Sequence, residues 1–152
     1  MNMLDKAKAM KDRTKQFAIR IVTVVRSLPS SREGNVIDNQ LLRSGTAVAA
    51  NYRAVCRARS KAEFVSKMSI VVEEVDETVF WLEMLADTGV VPPGKLALLL
   101  KEANELLAIC AASVRTAKYN RPEHDVLNGS MIQSLSESIP CITMIPTRRW
   151  KN

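Results

Sequence analysis

Histidine is nearly absent from this 152-residue chain: His124 is the only one. A zinc site, a Ser-His-Asp triad or a Cys-His pair needs an imidazole held in a scaffold. His124 sits in a polar stretch far from any Cys. The three cysteines, Cys56, Cys110 and Cys141, are odd in number, widely spaced and in no CxxC pair. That usage fits a reducing compartment, with Cys packing as a small apolar residue. Aromatics make up 5 % of the chain, which leaves little for base stacking. Five Gly and six Pro are few for an all-β protein with many turns. No apolar run approaches the ~18 residues of a membrane span. The first residues place Asp5 and Asp12 among lysines without an apolar stretch, so they do not read as a secretory signal. By elimination a cytoplasmic protein is expected, and no residue set calls for a cofactor.

What is present fits one globular domain. Apolar residues make up 47 % and charged residues 25 %, and a chain of ~150 residues can bury a real core. The net charge of +6 is unevenly spread. Residues 1–28 carry +5 and residues 29–59 carry +3, whereas residues 60–90 carry −5. Residues 91–119 carry +2 and residues 120–152 carry +1. One acidic segment therefore adjoins two basic ones, and only the surplus is free to serve an external anion.

Helical periodicity runs through four segments. From Met3 to about Leu28, Met10, Thr14, Phe17, Ile21, Val24, Val25 and Leu28 recur at three- and four-residue steps, and Pro29 stops the pattern. From about Val36 to Ala58, Ile37, Leu41, Val48, Tyr52 and Val55 form a stripe. Gly45, Ala47, Ala49, Ala50 and Ala54 keep that segment slim enough for close helix approach. Ser60 and Glu63 have capping-box spacing before Phe64, Met68, Val71, Val75, Val79, Leu82 and Leu85. Thr88-Gly89 reads as the stop. Pro92-Pro93 opens a fourth segment, carried by Leu96, Leu99, Leu100, Ala103, Leu106, Leu107, Cys110 and Val114 to about Tyr119. The expected fold is all-α, an antiparallel up-down four-helix bundle over residues 1–119. Residues 120–152, with three Pro and a basic end, read as a C-terminal tail, flexible or docked on a neighbour, with a short helix available over 131–139.

Three stretches carry a family resemblance. They are Gln40-Leu41-Leu42-Arg43-Ser44-Gly45-Thr46-Ala47-Val48-Ala49-Ala50-Asn51-Tyr52-Arg53, then Arg57-Ala58-Arg59-Ser60-Lys61-Ala62-Glu63-Phe64, then Glu73-Glu74 with Asp76-Glu77-Thr78 and Trp81-Leu82-Glu83-Met84-Leu85. Together the chain resembles the four-helix-bundle family named after proteins encoded in intervening sequences of bacterial 23S rRNA genes. The likeness covers roughly residues 10–119 and is densest over 40–85. It implies an antiparallel bundle that assembles as a ring-like homopentamer, without an established catalytic activity. One branch, the accessory variability proteins of diversity-generating retroelements, binds a reverse transcriptase and nucleic acid through a basic surface. This chain reads Asn51-Tyr52-Arg53-Ala54-Val55 where many members have Asn-Ile-Ala-Glu-Gly, and nothing in it points to a retroelement.

The helical faces offer three kinds of site. Ile70, Phe80, Trp81 and Met84 fall outside the main stripe of the third helix. They read as an oligomer interface anchored by aromatics, or as a core that reaches round the helix. Arg43, Arg53 and Arg57 share a face of the second helix. They read as a phosphate strip or as ion-pair partners of the acidic third helix, within or between subunits; ion pairing is favoured for the three, with Arg43, Arg53, Glu73 and Glu77 as candidate pairing residues. Lys8, Lys11, Lys15 and Arg26 on the first helix, with Arg57, Arg59 and Lys61 at the second junction, are the candidate RNA- or DNA-binding cations; a plain solvated face is the alternative. Glu73 and Glu77 are four apart, as in carboxylate metal sites, but the bundle lacks the His such sites add, so no metal is expected. The expected function is sequence-tolerant nucleic-acid binding by a non-enzymatic oligomer, as an adaptor for a nucleic-acid enzyme such as a reverse transcriptase. The alternative is a protein-interaction module whose charges serve self-assembly.

Overall fold

The computed structural model describes residues 3–119, which form four α-helices: α1 (Met3–Arg26), α2 (Arg32–Val55), α3 (Lys61–Asp87) and α4 (Pro93–Tyr119). The tail 120–152 and the helix expected over 131–139 lie outside the described residues. Each helix buries the stripe its spacing dictates. Phe17 and Ile21 of α1, Leu41 and Val48 of α2, Phe64 and Leu82 of α3, and Leu96 and Leu106 of α4 are almost wholly removed from water. α1 packs on α2, α2 on α3 and α3 on α4, while α1 meets α4 least closely. The five-residue connections make neighbours antiparallel, and the outcome is a four-helix bundle.

Helix ends follow local chemistry. α1 stops at Arg26, two residues before the last residue of its apolar stripe. Leu28 precedes Pro29, whose ring disfavours helical backbone there. The Ser27 N–H instead donates to the Val24 carbonyl and the Leu28 N–H to the Val25 carbonyl, at 2.9 and 3.1 Å. α2 begins at Arg32, four residues ahead of the expected start at Val36. Ser31 is extended (φ −138, ψ 167) and its Oγ accepts from the Gly34 N–H at 2.9 Å. The polar turn Arg32–Asn35 carries no apolar period that would have shown it. Ser60 caps α3 by accepting from the Glu63 N–H at 3.1 Å. The Glu63 carboxylate takes the Arg59 N–H at 2.8 Å, one residue upstream of the reciprocal bond of a capping box. Gly89, at φ +72, turns the chain after α3, a conformation costly for a residue with a Cβ.

Two features lock α2 against its neighbours. Gly45 leaves room for Ile21 of α1: a Cβ there would stand 2.7 Å from the Ile21 Cγ2. On the α3 side, the buried hydroxyls of Ser44 and Thr78 pair at 3.0 Å. A pair of small polar groups inside an apolar layer costs little once paired and fixes the axial register of two helices.

Candidate nucleic-acid interface

Antiparallel packing decides which charges become neighbours. The start of α1, the end of α2, the start of α3 and the end of α4 all lie at one end of the bundle. That end collects Lys8 and Lys11 from α1, Arg53 from α2, Arg57 and Arg59 from the next connection, Lys61 from the start of α3, and Arg115 and Lys118 from α4. Lys15 lies further along the same α1 face. The opposite end carries Arg26, together with the acidic last turns of α3, Glu83 and Asp87. Arg26 is thus separated from the other sequence-derived candidates.

Most cations at this end are exposed and unneutralised. Lys8, Lys11, Lys15, Arg53, Arg57, Arg115 and Lys118 are exposed, and none forms an ion pair among the described residues. Asp5 and Asp12 of α1 and Glu63 of α3 are counter-charges at this end. The Glu63 carboxylate is 2.8 Å from the Lys67 Nζ and 3.5 Å from the Arg59 Nε. Lys67, the Arg59 N–H and the two cations hold its pKa down at about 2. The Arg59 guanidinium remains 87 % exposed and points its charge at solvent. Lys61 is half-buried.

Two arginines are committed elsewhere. Arg43 donates to Glu77 and, at 3.4 Å, to Glu74. The arginine bond draws the Glu77 carboxyl below its ordinary range, helped by a 3.2 Å hydrogen bond from the Trp81 indole. Glu74 sits deeper, and desolvation pushes its carboxyl up despite the arginine. Arg13 of α1 bridges Glu102 and Glu105 of α4, at 2.7 and 2.6 Å, across the loosest seam of the bundle. That bonding holds the Glu102 carboxyl low. The Arg13 bridge escaped the sequence reading. Glu102 and Glu105 three apart on α4 were its available signal, but the facing arginine depended on which flank of α1 met α4. Among the described residues Arg53 and Glu73 join no ion pair.

The outer face of α3 differs in kind. Ile70 is 41 % and Phe80 50 % exposed, beside exposed Glu73, Asp76 and Glu83. Phe80 meets Trp81 edge-on at 4.8 Å between ring centres, and Trp81 is half-buried against the core. Met84 is also half-buried. Among the described residues no group of three or more His, Cys, Asp or Glu is placed to hold a metal ion. Glu77 is occupied by Arg43 and Trp81, which leaves Glu73 without it. No helix is long and apolar enough to cross a membrane, among the described residues.

A surface of this kind can neutralise phosphate charge without reading bases. Lys and Arg contacts to phosphate fix position and carry no sequence information.

Two comparisons bear on the chain. The family model of the 23S rRNA-intervening sequence protein matches residues 7–112. A crystal structure at 1.70 Å resolution, of a protein with unknown function from the S23 ribosomal protein family of Bacteroides thetaiotaomicron VPI-5482, is similar. It shares 31 % identity and a TM-score of 0.65 over 69 % of this chain and 97 % of that one. No curated protein matches.

Proposed function

The chain belongs to the 23S rRNA-intervening sequence protein family, and from that premise we propose that it is a non-enzymatic bundle that binds nucleic-acid phosphates at its basic end. The observation that carries this reading is the gathering of unpaired cations from separate sequence segments at one end of the fold. Lys8 and Lys11 of α1 stand at the same end as Arg57 and Lys118, with Lys15 continuing the α1 row. Repulsion among like charges is a cost that a merely solvated surface has no reason to concentrate. A phosphate backbone, at one charge per ~1.7 Å of duplex, relieves it by counterion release. Binding is sequence-tolerant and steeply dependent on salt. A cytoplasmic setting, and service as an adaptor to a nucleic-acid enzyme such as a reverse transcriptase, are consistent with such a surface.

Fluorescence anisotropy of a labelled RNA hairpin and a matched DNA duplex, each titrated at several salt concentrations, tests this. Affinity should fall linearly with salt on logarithmic axes. Lys8→Glu combined with Lys15→Glu should weaken binding to both probes and leave the bundle folded. Absence of binding at low salt defeats the reading.

A second reading rests on Ile70 and Phe80. Two large apolar side chains exposed on an acidic helix face support self-association of the chain, a ring-like pentamer in the form the family resemblance implies. The half-buried Trp81 and Met84 then serve that assembly. Sedimentation of the wild-type chain tests it.

A further inference from the structure

We infer that the basic end of the bundle takes an unpaired polynucleotide strand, with Tyr119 as the platform on which a base stacks. This rests on the phosphate-binding reading above and names the class of ligand for that site.

Two aromatic side chains are prominently exposed among the described residues, Phe80 at 50 % and Tyr119 at 82 %. Their surroundings are electrostatic opposites. Phe80 stands among Glu73, Asp76 and Glu83, which repel a phosphate backbone. Tyr119 directly follows Lys118 and lies four residues after Arg115 on α4. Both cations are exposed and neither has a carboxylate partner among the described residues.

The Arg13 bridge locates Tyr119. Glu105 of α4 faces α1, because its carboxylate is 2.6 Å from the Arg13 guanidinium. Tyr119 is fourteen residues further on, near the same side of the helix and about 21 Å along its axis. From Arg13 back to Met3, α1 spans ten residues, about 15 Å. Tyr119 therefore stands past the first turn of α1, at the rim of the end where Lys8, Arg57, Arg59 and Lys118 collect.

An exposed aromatic ring beside gathered cations supplies the two contacts that hold single strands, base stacking and phosphate neutralisation. Every base has a face to stack, so such a site tolerates sequence. In a duplex those faces are covered by neighbouring bases, so only the phosphate contacts remain. The exposed ring thus adds affinity for unpaired nucleotides alone.

The test compares oligothymidylate, oligouridylate and a duplex of matched length on the full chain, with Tyr119→Ala, Tyr119→Phe and Lys118→Ala. Tyr119→Ala should weaken both single strands about 5-fold or more and leave duplex affinity unchanged. Tyr119→Phe should retain single-strand affinity. Lys118→Ala should weaken strands and duplex alike and lower the salt slope by about 1. Equal loss on oligouridylate and oligothymidylate makes the site indifferent to the sugar, and unequal loss assigns it to the more affected strand; both support the inference. Unchanged single-strand affinity in Tyr119→Ala, with wild-type binding intact, overturns this inference and leaves the phosphate reading standing. A lowered Tm with unchanged affinity also overturns it, since Tyr119 then packs against the chain itself. Failure of the wild type to bind any probe defeats the phosphate reading itself.

Discussion

Gly45→Ala sets two well-defined effects against each other. Helix propensity alone favours the change, because Ala in a helix interior is better than Gly by ~1 kcal/mol. The packing opposes it. A Cβ at position 45 would stand 2.7 Å from the Ile21 Cγ2, 2.8 Å from Cγ1 and 3.1 Å from Cβ. Carbon atoms prefer ~3.5–4.0 Å, so nearly ~1 Å must be found. Ile21 is fully buried, and the crowded atoms lie next to its backbone and not at a flexible tip. Either α1 moves off α2 or Ile21 leaves its rotamer, and overpacking of this sort costs ~1–3 kcal/mol. The upper part of that range applies here, so the net expectation is a loss of ~1–2 kcal/mol. Urea unfolding at fixed protein concentration measures it, since self-association would otherwise shift the midpoint. Ile21→Ala alone should cost ~2–5 kcal/mol, and the double variant less than the sum of the singles by at least ~1 kcal/mol. A Gly45→Ala protein stabilised by ~1 kcal/mol, additive with Ile21→Ala, refutes the close-packed α1–α2 contact.

Other perturbations have equally definite outcomes. Arg13→Ala should destabilise by about 1 kcal/mol, the modest scale of a partly exposed ion-pair network, and high salt should erase most of the difference. Glu63 has a folded pKa of about 2 against an ordinary 4.5, so its contribution is complete above the unfolded value and is lost as pH falls towards 2. Thermal unfolding across that window should show a shallower acid decline in Glu63→Gln than in the wild type. Phe80→Ser combined with Ile70→Ser should leave the unfolding midpoint nearly unchanged at low concentration, since both side chains are exposed. It should abolish any concentration-dependent sedimentation, and persistence of the oligomer would remove this face from assembly.

The stripes of α1 to α4 were legible because burial on one side of a helix leaves a three-to-four period in any sequence. The Ser60 cap was legible because its chemistry is local. The first turn of α2 was not, because Arg32–Asn35 carries no period and Ser31 acts through one hydrogen bond. Among the charged candidates, Lys8, Lys11, Lys15, Arg57 and Arg59 could be listed from the chain, but not their grouping. Arg26 shares the α1 sector with the lysines on a helical wheel and still lies at the far end. Arg13 finds its two carboxylates only on α4, 89 and 92 residues away in the chain.

The amino-acid sequence by itself determined four helices, their buried faces and a surplus of positive charge. Those properties depend on residues within a few positions of one another, and hydrophobic burial enforces them whichever helices become neighbours. The tertiary structure alone decided which charges are neutralised and which are left unpaired. Chain reversal at each connection brings residues 8, 57 and 118 to one end, and helix contacts assign Arg43 to Glu77 and Arg13 to Glu102. Coulomb energy depends on distance in space, and separation along the chain does not contain it.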